Sequence, residues 1–234
     1  MENNMKDIAI QINNQKRNFV FVGESGSGKS EIALNFSLLL TKIGNKPVHF
    51  FDLDMTKPLF RSREAFDDLE KAGIIFHFED QFMDAPTMVG GVRKLMKDDT
   101  CFVVLDVGGD DIGAKALGGF VSELNSEQTV SYYVLNAFRP WSTDIDQIDK
   151  TLVSVLGASG LNLESIRLVN NPNLGISTTL DDFLEGCRKM NEMVSPYKPI
   201  DFTCVNEALF KEARERVETE LLSLHLHLTY PWLN

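Results

Sequence analysis

Eight residues, GESGSGKS at 23–30, limit what this chain can fold into more than any other stretch. They follow the short apolar run NFVFVG (18–23), which reads as a buried strand. They precede Ile32, Ala33, Phe36, Leu39, Leu40 and Ile43, which recur at helical spacing until Gly44 stops the pattern. Gly23, Gly28, Lys29 and Ser30 fit the spacing G-x-x-x-x-G-K-[ST], and strand before with helix after is the setting that spacing needs. Glycines let the backbone curl so that successive N–H groups face inward and form an anion nest. The helix N-terminus adds the positive end of its dipole. The expected phosphate cradle is therefore Gly23, Glu24, Ser25, Gly26, Ser27, Gly28, Lys29, Ser30 and Glu31. Lys29 can reach the outer phosphates, and the Ser30 hydroxyl can ligate Mg2+. The plainer alternative, a glycine-rich turn with a surface lysine, leaves both flanks unexplained.

The rest of the chain continues the alternation. PVHFFDLD (47–54), GIIFHF (73–78), CFVVLDVGGDD (101–111), VSYYVLNAFRP (130–140), SIRLVNN (165–171) and PIDFTCV (199–205) read as strands or strand ends. APTMVGGVRKLMKD (85–98), STDIDQIDKTLVSVLGASG (142–160), STTLDDFLEGCRKMNEM (177–193) and NEALFKEARERVETELLSL (206–224) read as helices, the last capped by Asn206. Near-continuous apolar strands alternating with helices predict an α/β fold: three layers, a mostly parallel twisted sheet with helices on both faces. No repeat or linker interrupts residues 1–234, so one nucleotide-binding domain is expected.

Thirty-four acidic residues against 23 Lys plus Arg leave a net charge of −11, which repels nucleic acid and anionic lipid. No run approaches the roughly 20 apolar residues of a membrane span, and the polar start lacks a signal-peptide core. The three cysteines form neither a disulfide framework nor a CxxC motif. A cytoplasmic protein that binds neither nucleic acid nor membrane is the expectation.

A phosphate loop needs acids to hold the metal's shell. Asp106 ends the strand CFVVL, and Gly109 of the following DVGG can turn its backbone toward a terminal phosphate. Asp52 and Asp54, two apart at another strand end, begin on one face; one can support the metal and the other can orient or deprotonate a water. Both segments also fit plain turns, which Asp and Gly favour.

These parts together resemble the MinD/ParA/CobQ group of P-loop ATPases, in the wider class that includes nitrogenase iron protein and signal-recognition GTPases. The matching segments are VGESGSGKSEIALNFSLLL, PVHFFDLDMTKP, CFVVLDVGGDDIGAKALGGF, YYVLNAFRP and LVNNPNLGISTTLDDFLEG, from about residue 18 to 206. The chain looks closest to a branch that lacks the group's signature lysine. The resemblance implies ATP and Mg2+ as cofactors, Lys29 and Asp54 as catalytic residues, and Ser30, Asp52 and Asp106 around the metal. It implies a switch segment from Gly108 to Asp111, and Asn170 or Asn171 reading the adenine edge; the plain reading of that pair is a turn before Pro172. No N/TKxD guanine motif stands at this strand, so ATP is preferred over GTP.

Glu24 occupies the position where MinD and ParA carry a lysine that reaches a partner subunit's nucleotide. A carboxylate cannot supply that charge, which argues against an ATP-sandwich homodimer. The function expected is a slow Mg2+-dependent ATPase acting as a nucleotide switch on a protein partner. The alternatives are a small-molecule kinase or an ATP-dependent ligase resembling dethiobiotin synthetase, with Arg61, Arg63 and Arg139 holding an acidic substrate, or a non-hydrolysing nucleotide sensor. His225 and His227 are a weak candidate metal pair, and Trp141 and Trp232 fit packing anchors as well as binding platforms.

Overall fold

The structure, a computed structural model, describes residues 14–44, 46–53, 63–77, 85–109, 114–115 and 117–228. Its strands are β1 Asn18–Gly23, β2 Val48–Leu53, β3 Ile74–His77, β4 Phe102–Val107, β5 Thr129–Leu135, β6 Ile166–Asn170, β7 Ile200–Asn206 and β8 Leu221–Leu224. They form one sheet in the order β3-β2-β4-β1-β5-β6-β7-β8, and every pairing is parallel. The helices are α1 Lys29–Ile43, α2 Arg63–Lys71, α3 Ala85–Lys97, α4 Val121–Leu124, α5 Ile145–Ser159, α6 Leu180–Val194 and α7 Phe210–Arg214.

All six residues of β1 are buried, as suits a central strand covered on both faces. From β1 the chain moves out to β2 and β3, returns to β4, then crosses to β5 and runs out to β8. The strand order reverses about β1, and the crevice at such a reversal is where open parallel sheets bind ligands.

Two apolar cores flank the sheet. On one face α1 and α2 cover Phe19, Phe21, Phe50, Val104, Tyr132 and their neighbours. On the other, α3, α4, α5 and the C-terminal half of α6 cover Val20, Val22, Leu105, Tyr133 and Leu168. Phe36 of α1 lies 4.9 and 5.3 Å, centroid to centroid, from Phe19 and Phe21, and 5.7 Å from Tyr132. Truncating such a ring to alanine costs about 3–5 kcal/mol. This cluster fixes the start of α1 at the carboxyl end of β1.

One expected element is different. Residues 206–224 do not form a single helix: α7 covers five residues, and Leu221–Leu224 adds β8 to the sheet edge. The backbone of β8 pairs with β7 from Thr203↔Leu221 to Asn206↔Leu224. Asn206 does act at a turn, its Oδ1 accepting the N–H of Ala208 at 2.9 Å. The helix expected from Ser142 with a Ser/Thr cap instead begins at Ile145 with Asp144 as its cap, because Pro140–Ser142 forms a separate turn, while Thr179 with Asp182 forms a capping box on α6.

Candidate functional site

The segment after β1 is a tight loop. Ser27 N–H donates to the Glu24 carbonyl at 3.1 Å, and Gly26 and Gly28 have φ of 77° and 90°, the left-handed region that favours glycine. Gly28 precedes α1 without a side-chain cap, so the first-turn N–H groups stay available to an anion. Lys29 is 4% exposed, drawn in under the loop.

Loops from three neighbouring strand ends press on this one. After β4, Gly109 lies so close that a Cβ there would fall 2.5 Å from Ser25 N and 2.8 Å from Ser25 Cα. After β5, Arg139 Nε donates to the Gly26 carbonyl at 2.9 Å. After β6, the buried Asn171 Nδ2 donates to the Ser27 carbonyl at 2.7 Å, and a Cβ on Gly28 would fall 2.2 Å from that nitrogen. Glycine at 28 is thus favoured by φ, and a Cβ there would also displace the Asn171 amide from the loop.

The acids meet on the same side. Asp52 and Asp106 are register partners across β2 and β4, and Asp106 also pairs with Phe21 of β1. Val104 belongs to the α1-side core while Leu105 and Val107 belong to the opposite one, so strand alternation turns Asp106 toward α1. The same alternation turns Asp52 there, between Phe51 and Leu53. Two buried carboxylates on adjacent strands, with the Ser30 hydroxyl at the start of α1, make the all-oxygen donor set that Mg2+ takes. The residues fit that ion. Asp54, Arg61, Asp110, Asp111 and Trp232 lie outside the described residues.

Two expected site residues, Asn171 and Glu31, make side-chain contacts within the chain, and a third, Asn170, is buried. The Asn171 Nδ2 is engaged by the loop. Asn170 is 0% exposed, and among the described residues neither end of its amide finds a hydrogen-bond partner. The Glu31 carboxylate faces away from phosphate chemistry: it accepts the N–H groups of His227 at 2.6 Å and Leu228 at 3.0 Å. Burial pushes its pKa up, against the pull of those bonds. One turn on, Asn35 exchanges two hydrogen bonds with the backbone of His225, at 2.8 and 2.9 Å. The segment after β8 is thus strapped to α1. His225 pairs with Glu207 at 2.7 Å, and among the described residues no group of three or more His, Cys, Asp or Glu could hold a metal. Glu24 lies near Tyr133; burial pushes that phenol up to about 12 and the Glu24 charge adds to the push.

The braces on the loop escaped the sequence reading because they join residues 113 and 144 positions apart. The pattern NNP announced a turn; nothing in it announced what the turn holds.

The model of the CobQ/CobB/MinD/ParA nucleotide binding domain matches residues 19–167. The chain belongs to this family. No curated protein matches it significantly. Among solved structures, it is similar to the nucleotide-binding protein in complex with ADP from Archaeoglobus fulgidus, at 14% identity and TM-score 0.51, covering 96% of this chain and 98% of that one. It is also similar to a ParA family ATPase from Chlorobium tepidum TLS, at 17% identity and TM-score 0.50, over 86% of this chain and 88% of that one. A match to FlhF complexed with GMPPNP and Mg2+, at 15% identity and TM-score 0.40, covers 73% of this chain, which spans 61% of the FlhF chain. The likenesses to the Archaeoglobus fulgidus and Chlorobium tepidum structures are of fold alone, an α/β domain. Among the described residues no helix is long and apolar enough to cross a membrane.

Proposed function

We propose that this family member is a Mg2+-dependent ATP switch that hydrolyses ATP slowly and acts on a protein partner. The observation that carries the reading is the contact of Gly109 with Ser25. The turn after β4 lies against the backbone that would hold a terminal phosphate, so filling or emptying the cradle must shift it. A segment whose position depends on a γ-phosphate is what a nucleotide switch requires.

The roles follow from position. The N–H groups of the loop and of the first turn of α1 bind the phosphates. Lys29 neutralises charge on the outer ones, and Asp54 orients the attacking water. Ser30, Asp52 and Asp106 would hold Mg2+, which would neutralise charge on the terminal phosphates.

Limited proteolysis tests the switch. ATP should protect residues 52–64 and 106–119 and ADP should protect them less, whereas identical cleavage in both states sinks the reading. Capture from lysate with ATP, with ADP and with Lys29→Ala then tests the partner, which should be retained only by the ATP form.

A further inference from the structure

Glu31 is the third residue of α1, in the turn whose N–H groups have no partner within the helix and would take the phosphates. A glutamate at that position can reach back to the N–H of the cap residue, here Gly28, and close the helix end by itself. In this chain the carboxylate is 8% exposed and turned the other way. Its Oε1 accepts the N–H of His227 at 2.6 Å and its Oε2 that of Leu228 at 3.0 Å. Asn35 closes the arrangement. Its Nδ2 donates to the Glu31 carbonyl and to the His225 carbonyl, each at 2.8 Å, and its Oδ1 accepts the His225 N–H at 2.9 Å.

The segment that supplies these partners is fastened at its base and lightly held at its end. Glu207 fastens the base: its N–H donates to the Leu224 carbonyl at 2.9 Å, and its Oε1 meets His225 Nδ1 at 2.7 Å. Beyond that point, the hydrogen bonds shown between residues 226–228 and α1 are the two given to Glu31, and Leu228 packs at the margin of the core. The His227 ring works against the attachment. Its Nε2 is buried and, among the described residues, finds no hydrogen-bond partner. A buried nitrogen in that state costs free energy that release to water recovers.

We propose that residues 226–228 are a releasable strap that sets nucleotide affinity: attached, it holds the Glu31 carboxylate off the phosphate site, and released, it frees Glu31 to cap its own helix and compete with phosphate for the N–H groups there. This rests on the phosphate-site reading above. A carboxylate and a phosphate are both anions, and one set of N–H donors at one helix end cannot serve both. Nucleotide and strap therefore stabilise each other, by the reciprocity that links two sites sharing one state. The contested donors belong to the cradle that ATP and ADP both use, so the strap acts on both nucleotides alike.

The test keeps the full chain and removes the two strap N–H groups with the pair His227→Pro and Leu228→Pro. In calorimetric titration with ATP and with ADP, each with Mg2+, the proline pair should bind both nucleotides about tenfold more weakly than wild type. Adding Glu31→Ala to the proline pair should recover most of that loss, because the competing carboxylate is gone. A loss that Glu31→Ala leaves in place or deepens means that the strap only splints the helix, and overturns the proposal. So does a proline pair that binds both nucleotides as wild type does. Thermal melting checks that each variant folds, and if the proline pair does not, Leu228→Pro alone carries the same comparison. If wild type binds neither nucleotide, or Lys29→Ala binds both unchanged, the phosphate-site reading itself fails; wild-type binding that the proline pair leaves untouched defeats the strap alone.

Discussion

The two sides of the sheet about β1 meet the phosphate loop in different ways. On the β4 and β2 side the contact is backbone against backbone, Gly109 on Ser25, with the carboxylates Asp106 and Asp52 behind it. On the β5 and β6 side it is side chain to carbonyl, through Arg139 and Asn171. The first side brings acids and lies where a terminal phosphate would intrude. The second brings amide and guanidinium donors that fix the loop from outside. The loop is therefore held on one flank and left to respond on the other, which is how a site keeps its shape while reporting its occupant.

Lys29→Ala should produce the largest effect, because it removes the one cation both flanks serve. Affinity for ATP and ADP should fall roughly 100-fold with the melting temperature near wild type, measured by titration calorimetry. Gly109→Ala attacks the responsive flank. Its Cβ cannot fit against Ser25 without moving backbone, so a stability loss of about 1–3 kcal/mol is expected. The sharper outcome is loss of the ATP-dependent protection of residues 106–119.

Asn171→Ala attacks the fixed flank and leaves the Ser27 carbonyl without its buried donor. That costs about 1–3 kcal/mol in chemical denaturation, weakens ATP and ADP alike, and leaves the nucleotide-dependent protection in place. If Asn171→Ala abolished that protection and Gly109→Ala spared it, the assignment of the two flanks would be reversed.

The smallest effect lies at the outer edge of the first side. His77 stacks on Phe51 at 4.2 Å and meets His49, Nε2 to Nδ1, at 2.9 Å. Burial, then the charge of His49, lowers its pKa from 6.5 to about 4. A histidine depressed on folding binds its proton more readily when unfolded. Its contribution is full above pH 6.5 and is lost as pH falls toward about 4. His77→Gln should flatten the acid side of a melting-temperature profile over that window and leave nucleotide binding at pH 7.5 unchanged.

The sequence carried the inner part of this architecture plainly. FVFVG and CFVVL are apolar without a break, as strands buried on both faces must be, and they form the bodies of β1 and β4. The edge was harder to read. Leu209, Phe210, Ala213 and Val217 keep helical spacing, and LLSL is too short for its period to separate strand from helix. Pairing with β7 decided it. The site divides likewise. Gly23, Gly28, Lys29, Ser30, Asp52 and Asp106 announce themselves because their chemistry is tied to local strand ends. Asn171 and Arg139 act through partners more than a hundred residues away, and Glu31 turns out to hold a distant segment instead of a nearby ligand.

That last attachment has a consequence for how the chain is made. Glu31 and Asn35 stand in the first two turns of α1, and their backbone partners lie 190 to 197 positions downstream. The helix that opens at the phosphate loop leaves the ribosome 190 to 197 residues ahead of the backbone that completes it. Such distant closure slows folding and lengthens the time a nascent chain spends exposed. A product stalled before residue 225 would carry every residue of the phosphate loop, yet Glu31 would be left without the backbone that shields it.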